Sequence, residues 1–488
     1  MDKNNKSDLT ICPTIGTSLI EPCILDPCIP KPCVTIIGAG LAGLSAAHRL
    51  TKCGIKNVTV LEATERYRSM CFLSLGDLAA AIQSFWLNDS SMELGAQWIH
   101  GACASNPVFT LAAQEGLLRP PLGLSNNSTG YFYTTDGRAV SPAVSIAAKK
   151  AFHRIKNLAI NRFASNDNAR QHMSLAEFLA SQMDQELSRF PDIHRDDASR
   201  HGKEDDLYLV SADYYGSFIS IPGGNVRVPL GHAGIMAPLL RDLPECCVKY
   251  CTPVKSIMWD AEETAGPRAK VHCFNGEEYP CDYVIVTTSL GVLKNTAKQL
   301  FCPELPENKQ IAIDRLDDTM RLGWSTDELA MRFDWSKGIT HIEPVVGSKH
   351  VLCAWIGGPD SAIMETCSDE NVAEKLTKTI RKFTGNPCLP YPSTISRSTW
   401  CTNPYFCGAF SYMSISSTLG HKLELGTPIP GECGEVPPII LFAGEATLPG
   451  YHGTTQGAFV SGVKEADRII KLTKKYQGPP NFKNLKYT

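Results

Sequence analysis

The sequence has no excess of charge of either sign: 47 Lys and Arg stand against 50 Asp and Glu, a formal net charge of −3 over 488 residues. No basic stripe breaks that balance, which argues against nucleic-acid binding through a general electrostatic surface. No apolar run reaches the roughly 18 residues that a membrane-spanning helix needs. The first residues, Asp2 to Asp8, are polar and charged, without the apolar core of a signal peptide. The last residues, Asn484 to Thr488, do not spell a peroxisomal Ser-Lys-Leu ending. Together these absences lead to the expectation of a cytoplasmic protein with no membrane segment. Cys-X-X-Cys spacing is also missing. The 19 cysteines are scattered and odd in number, so reduced thiols are expected rather than a disulfide framework. Cys23, Cys28 and Cys33 recur at five-residue spacing in a proline-containing leader, but no histidine accompanies them as in a zinc site, and no metal is expected.

The length and the 43% apolar content suit a large multidomain enzyme rather than a small binding module. The leader gives way at Val34 to an apolar, β-branched run, Val34-Thr35-Ile36-Ile37, which enters Gly38-Ala39-Gly40-Leu41-Ala42-Gly43. Leu41, Leu44, Ala47 and Leu50 then recur at helical spacing, Gly54 stands where a cap belongs, and Val58-Thr59-Val60-Leu61 reads as a second strand ending in Glu62.

Strand, glycine turn, helix and second strand supply the context that a bare Gly-X-Gly-X-X-Gly lacks. Gly38 permits the tight turn, Gly40 lets a pyrophosphate approach the backbone, and Gly43 lets the helix lie close to the strand. Anionic Glu62 suits a ribose diol and disfavours a 2′-phosphate, so FAD or NAD is expected rather than NADP.

Residues 105–219 read mainly as amphipathic helices. Strand signals return at 248–259, at 270–274 followed by the Asn275-Gly276 hairpin turn, and at 283–287. A helix is predicted across 371–383. Ile439 to Ala443 forms a short buried strand that enters Gly444-Glu445, and Phe459, Val463, Ala466 and Ile470 line one face of a closing helix.

Further along lie Met92-Glu93-Leu94-Gly95-Ala96-Gln97-Trp98-Ile99-His100-Gly101 with Asn106-Pro107, Ile221-Pro222-Gly223-Gly224, Val284 to Lys294, Asn403-Pro404-Tyr405-Phe406 and Leu441 to Gly462. With the glycine fingerprint, these strings resemble the flavin amine oxidases, and among them the polyamine and spermine oxidases, from about Val34 to Leu472. The resemblance implies an α/β protein with a discontinuous Rossmann-like FAD-binding domain and a second, mixed α+β substrate domain. The expected boundaries are a flexible leader at 1–32, the FAD domain at 33–105, 220–300 and 397–472, the substrate domain at 106–219 and 301–396, and a loose tail at 473–488.

By the same resemblance Gly38, Gly40, Gly43, Glu62 and Arg66 belong to the adenine-dinucleotide end. Gly95, Ala96, Gln97 and Trp98 pass the flavin ring, and the Val254 backbone meets the adenine. Trp400 lies beside the cofactor, and Gly444-Glu445 meets the ribityl chain, where a carboxylate can accept two hydroxyl hydrogen bonds. Thr454 and Thr455 open a helix whose N-terminus would face flavin N1 and O2. Polyamine and dioxygen are the implied small-molecule partners. His100 is the implied catalytic and substrate-binding residue, with Tyr451 and Thr454 also toward the amine.

Monoamine oxidases attach flavin through a cysteine shortly after a Pro-Tyr pair. Ala409 holds that place here and Cys407 lies two residues early, so noncovalent FAD is expected. Two stretches depart from the family pattern: Arg68-Ser69-Met70 replaces Gly-Gly-Arg ahead of an unmatched segment at 71–91, and Asp327, Glu328 or Leu329 stands where a lysine is expected. They leave open a second reading, a relative that binds flavin or polyamine without turning over.

Overall fold

The computed structural model describes residues 24–65, 84–87, 90–118, 132–133, 138–164, 172–188, 208–228, 231–260, 266–317, 334–345, 348, 350–431 and 436–479. Its centre is a five-stranded sheet built from β1 (Val34–Ile37), β2 (Val58–Leu61), β7 (Val248–Lys249), β11 (Tyr283–Val286) and β15 (Ile440–Phe442), in the order β15-β11-β1-β2-β7. Every pairing is parallel. β1, β11 and β15 are buried along their whole length, as apolar strands covered on both faces should be. Segments more than 150 residues apart in sequence thus share one sheet.

Smaller pairs surround it. β3 (Ser84–Leu87) with β4 (Ser90–Glu93), and β5 (Trp98–His100) with β6 (Asn225–Arg227), are antiparallel ribbons. A second sheet runs β10-β9-β8-β12, from β8 (Val254–Trp259), β9 (Ala269–Cys273), β10 (Glu278–Cys281) and β12 (Phe301–Cys302). Its β9–β10 hairpin turns at Asn275-Gly276, where Gly276 has φ +85°. β13 (Ile339–Pro344) and β14 (Leu352–Ile356) make a separate hairpin.

The helices of the described residues are α1 (Leu41–Lys52), α2 (Pro107–Gln114), α3 (Pro142–Ala164), α4 (Leu175–Leu187), α5 (Ala233–Arg241), α6 (Leu290–Leu300), α7 (Glu307–Arg315), α8 (Pro359–Glu365), α9 (Asp369–Thr384), α10 (Leu419–Leu425) and α11 (Thr455–Tyr476). None is long and apolar enough to cross a membrane. α1 and α11 cover one side of the parallel sheet and touch through small residues. A Cβ on Gly462 would stand 2.0 Å from the Ala42 carbonyl oxygen, and Ser45 Oγ donates to the Phe459 carbonyl at 2.9 Å. α3 and α4 enclose a satellite core of Ile155, Ala159, Leu175, Phe178, Leu179 and Ala212. Trp335, Met364 and Val372 form another, beside the β13–β14 hairpin.

Three expectations change. The leader is not loose throughout: Leu25 is buried, its N–H donates to Cys53 O at 3.0 Å, and Cys33 N–H donates to the Asp282 carboxylate at 2.7 Å. The strand expected across 248–259 is divided in two, because Pro253 has no N–H to give a ladder and Cys251 takes φ +55°. The closing helix runs beyond Leu472 to Tyr476, since Thr473 is buried and continues the inward face, and it ends at Gln477 in the left-handed region. No disulfide joins any two of the described cysteines.

Candidate active site

The glycine turn and Glu62 meet at the end of the parallel sheet. Gly38 has φ +101°, and a Cβ there would reach 2.7 Å from Thr287 Oγ1. A Cβ on Gly43 would come within 2.0 Å of Gly38 O. Gly40 is the N-cap of α1 and offers no side-chain acceptor, so the first-turn N–H groups stay available to an anion. Glu62 is buried and aimed back at this turn. Its Oε2 accepts from Ala39 N–H at 2.8 Å, and its Oε1 accepts from the Thr64 N–H at 3.0 Å and hydroxyl at 2.7 Å. Thr252 N–H donates to Glu62 O at 2.8 Å, which sets the start of β8 and Val254 next to the same turn. Arg66 lies outside the described residues, as do residues 68–70 and 327–329.

Gly95, Ala96 and Gln97 connect β4 to β5. Trp400 Nε1 donates to Leu94 O at 3.2 Å and packs edge-on against Phe406, tying residues 400–406 to this connection. Arg227 on β6 lies 4.7 Å over the Trp98 ring and donates to Gln97 Oε1 at 2.8 Å and Glu343 Oε1 at 3.1 Å. On β5 the buried Ile99 separates Trp98 from His100, so period-two alternation sends both of the latter to the opposite face. His100 Nδ1 meets Asn225 Oδ1 at 3.0 Å. Asn106, fully buried, caps α2 through its Oδ1, while its amide N–H groups reach His100 O and Gln456 Oε1, both at 2.8 Å. One side chain thus joins the His100 segment to the first turn of α11, 350 residues away.

His232, the N-cap residue of α5, is fully buried next to this segment, close to the Trp98 backbone. Burial, followed by the proximity of His100, lowers its pKa from 6.5 to about 4. The folded state therefore keeps His232 neutral. Its contribution to stability is complete above pH 6.5 and is lost as pH falls toward 4, about 3 kcal/mol in all. Urea unfolding at pH 7.5 and pH 4.5 should show that loss, and His232→Phe should make the drop between the two pH values smaller by about 3 kcal/mol. An unchanged drop in the variant would contradict it.

At the C-terminal end, β15 enters Gly444, at φ +136° with open space where a Cβ would project. Glu445 Oε1 accepts from Ser411 N–H at 2.9 Å, and Oε2 from the Ser411 hydroxyl at 2.7 Å and Gly453 N–H at 2.5 Å. Three of roughly four acceptor positions on the carboxylate are thus occupied, which leaves room for one ligand hydroxyl rather than two. Thr454 is the N-cap of α11: its Oγ1 accepts from Gly457 N–H at 3.0 Å and donates to Tyr451 O at 2.6 Å. Thr455 Oγ1, beside it, is buried with no hydrogen-bond partner among the described residues, so a polar group arriving at this helix end would satisfy it.

Around the half-buried Tyr451 are groups the sequence did not single out. His452 packs edge-on to Phe218 at 5.8 Å, and burial, then the Lys422 charge, lowers its pKa to about 3. A Cβ on Gly453 would touch the Phe410 ring at 3.2 Å. Lys422 lies fully buried behind Glu445. Asn106-Pro107 carried a readable N-cap signal, Asn followed by Pro at N1. Phe218, His232, Phe410 and Lys422 carried none, because single residues at loop and helix positions announce no partner.

A glycine turn backed by the buried Glu62 carboxylate at one end, and a helix N-terminus carrying the buried Thr455 hydroxyl at the other, suit a dinucleotide bearing a redox ring. This architecture is that of a flavin-dependent oxidoreductase. Comparison with known proteins agrees: the sequence profile of the flavin containing amine oxidoreductases matches residues 41–320 and 317–470. Human peroxisomal N(1)-acetyl-spermine/spermidine oxidase is 31% identical, with 90% of this chain and 95% of that protein aligned, and the Bos taurus protein is 29% identical over 90% and 94%. Polyamine oxidase 1 of Oryza sativa subsp. japonica is 26% identical over 92% and 98%. A structure of putrescine oxidase bound to putrescine shares the fold at a TM-score of 0.63, with 15% identity over 90% of this chain and 99% of that one. The chain belongs to the flavin containing amine oxidoreductase family. It is an FAD-dependent amine oxidase.

Proposed function

We propose that this enzyme oxidises polyamines, namely spermine, spermidine or their N1-acetylated forms, with FAD held noncovalently. Supporting the substrate class are the relatives named for such amines and the aromatic groups packed near Tyr451, with Phe218 against His452 and Phe410 against Gly453, surfaces suited to an aliphatic chain with cationic ends. The arrangement that carries the reading is the Asn106 bridge, which couples His100 to the first turn of α11. When bound, FAD would supply the two-electron redox chemistry for oxidation of the carbon beside the amine, with dioxygen as the final acceptor and hydrogen peroxide as product.

The chain's own residues orient the amine and keep it uncharged at the moment of transfer. His100, held at Nδ1 by Asn225, is the group in this reading that exchanges a proton or hydrogen bond with the amine. Glu62 and the glycines hold the adenosine end, with Val254 beside it. Glu445 takes a ribityl hydroxyl, and Thr455 with the α11 N-terminus meets the pyrimidine side of the ring, while Thr454 fixes that terminus. Residues 33–105, 220–300 and 397–472 would make up the Rossmann-like FAD domain, a reading supported by one parallel sheet drawing strands from all three. Residues 106–219 and 301–396 would form the substrate side.

Noncovalent attachment is supported by Ala409 and by Cys407, whose Sγ donates to Pro404 O at 3.3 Å. Acid precipitation should release the yellow chromophore into the supernatant. Adding spermine, spermidine or N1-acetylspermine without oxygen should then bleach the flavin band of the purified enzyme. A yellow protein that no amine bleaches would replace this reading with that of a flavin or polyamine binder.

A further inference from the structure

α10 begins with a capping box, Thr418 and His421 exchanging hydrogen bonds, and its C-terminal carbonyls are gripped by a second buried lysine. That lysine, Lys309, donates to Glu424 O, to Leu425 O at 3.1 Å and to Thr427 O at 2.6 Å. The short helix is therefore fixed at both ends, and so is the side chain at its middle, Lys422.

Lys422 is fully buried, and its one hydrogen bond to a described residue runs to Ser411 Oγ at 3.4 Å. An ammonium carries three donors, and burying it with a single long bond is costly unless an opposite charge lies close by. Ser411 provides the route to one. Its hydroxyl, which accepts from Lys422, donates to Glu445 Oε2 at 2.7 Å, and its N–H donates to Oε1 at 2.9 Å. Lys422, Ser411 and Glu445 thus form a continuous hydrogen-bonded chain from a buried cation to a carboxylate. The donors in direct contact with Glu445 are all neutral, so they orient the carboxylate without balancing its charge.

We propose that Lys422 is the counter-charge of Glu445, positioning that carboxylate through Ser411 to receive a ribityl hydroxyl of FAD. The inference rests on the reading of Glu445 as the ribityl contact. Covering the site with flavin removes water from Glu445, and a carboxylate losing solvent stays an ionised acceptor only if a cation remains within reach. Lys422 meets that need through Ser411, its charge buried in the protein rather than exposed to solvent. Burial lowers the Lys422 pKa to about 8, and the Glu445 charge works against that fall by favouring the protonated form.

The test is FAD binding to apoprotein, followed by flavin fluorescence quenching, for the wild type, Lys422→Met, Glu445→Gln and the double variant, with unfolding temperatures of each apoprotein. Each single change is expected to weaken FAD by about tenfold or more, and the double variant to bind no more weakly than the worse single one, because the two residues act as a pair. Lys422→Gln keeps a donor toward Ser411 but loses the charge, and should bind like Lys422→Met. It also serves as the test if the methionine variant does not fold. Wild-type affinity in Glu445→Gln would refute the ribityl reading itself. If Glu445→Gln weakens binding while Lys422→Met or Lys422→Gln does not, or if the losses multiply in the double variant, the counter-charge assignment is overturned.

Discussion

Gly462→Val is expected to leave the protein unable to reach its cofactor-binding fold. Helix α11 lies against α1 at van der Waals contact of backbone on backbone, with no space at Gly462 even for a methyl group. The first side-chain carbon would stand 2.0 Å from Ala42 O and 2.4 Å from Ser45 Oγ. Because the obstacle is a helical carbonyl, rotation of a side chain cannot relieve it. Either the helices separate or α11 shifts along its axis. Separation would strip the shared core of Leu44, Ala47, Val463 and Ala466, all buried here, and break the Ser45 to Phe459 hydrogen bond. The cost should exceed about 3 kcal/mol, the upper range for overpacking a tight core. Thermal unfolding of the apoprotein reads it directly. A variant melting within a degree or two of wild type would show that the α1–α11 seam is wider than described.

Glu62→Ala is the second large effect, and it should act on the cofactor. The side chain accepts three hydrogen bonds, one from Ala39 inside the glycine turn and two from Thr64. Removing it leaves two backbone N–H groups without their acceptor, and an unpaired buried donor costs about 1–3 kcal/mol. It also removes the carboxylate proposed to hold the adenosine ribose and loosens the turn that would approach the pyrophosphate. Protein recovered from gel filtration should carry less than about a tenth of wild-type flavin, reflecting the loss of a charge-assisted hydrogen bond to the ribose, roughly 1.5–3 kcal/mol, on top of the loosened turn. Glu65→Ala, three residues on and exposed, should keep its full complement. Equal flavin content in the two variants would remove Glu62 from the cofactor site.

Much of this machinery could be read in one dimension. The run Val34 to Glu62 is a local unit: a β-branched strand, a turn only glycines can make, a helix with apolar positions at helical spacing, and a second strand. Each step is dictated by residues within a few positions of one another, and β1, α1 and β2 follow. The strand Ile440–Phe442 leading into Gly444-Glu445 and a long helix is legible for the same reason, as is the hairpin at Asn275-Gly276. The misjudged pieces were those whose state depends on a distant surface. Residues 24–33 have a leader's composition, yet Leu25 finds the end of α1 and Cys33 finds Asp282. The last turn of α11 is polar enough to pass for a tail, yet Thr473 is buried.

By itself, then, the sequence determined the local conformations and the chemical inventory: a dinucleotide turn, a carboxylate at the end of a strand, a histidine and aromatics in strings resembling the amine oxidases. Tertiary structure alone decided which of these meet. It placed strands from 34–61, 248–286 and 440–442 in one sheet, set Asn106 between His100 and Gln456, and brought Lys422 to Ser411 and Glu445. The physical reason is that periodicity and turn chemistry act over a few residues. The cost of burying a charge or an amide is settled by whichever partner the folded chain brings within about 3 Å, and sequence spacing says nothing about that distance.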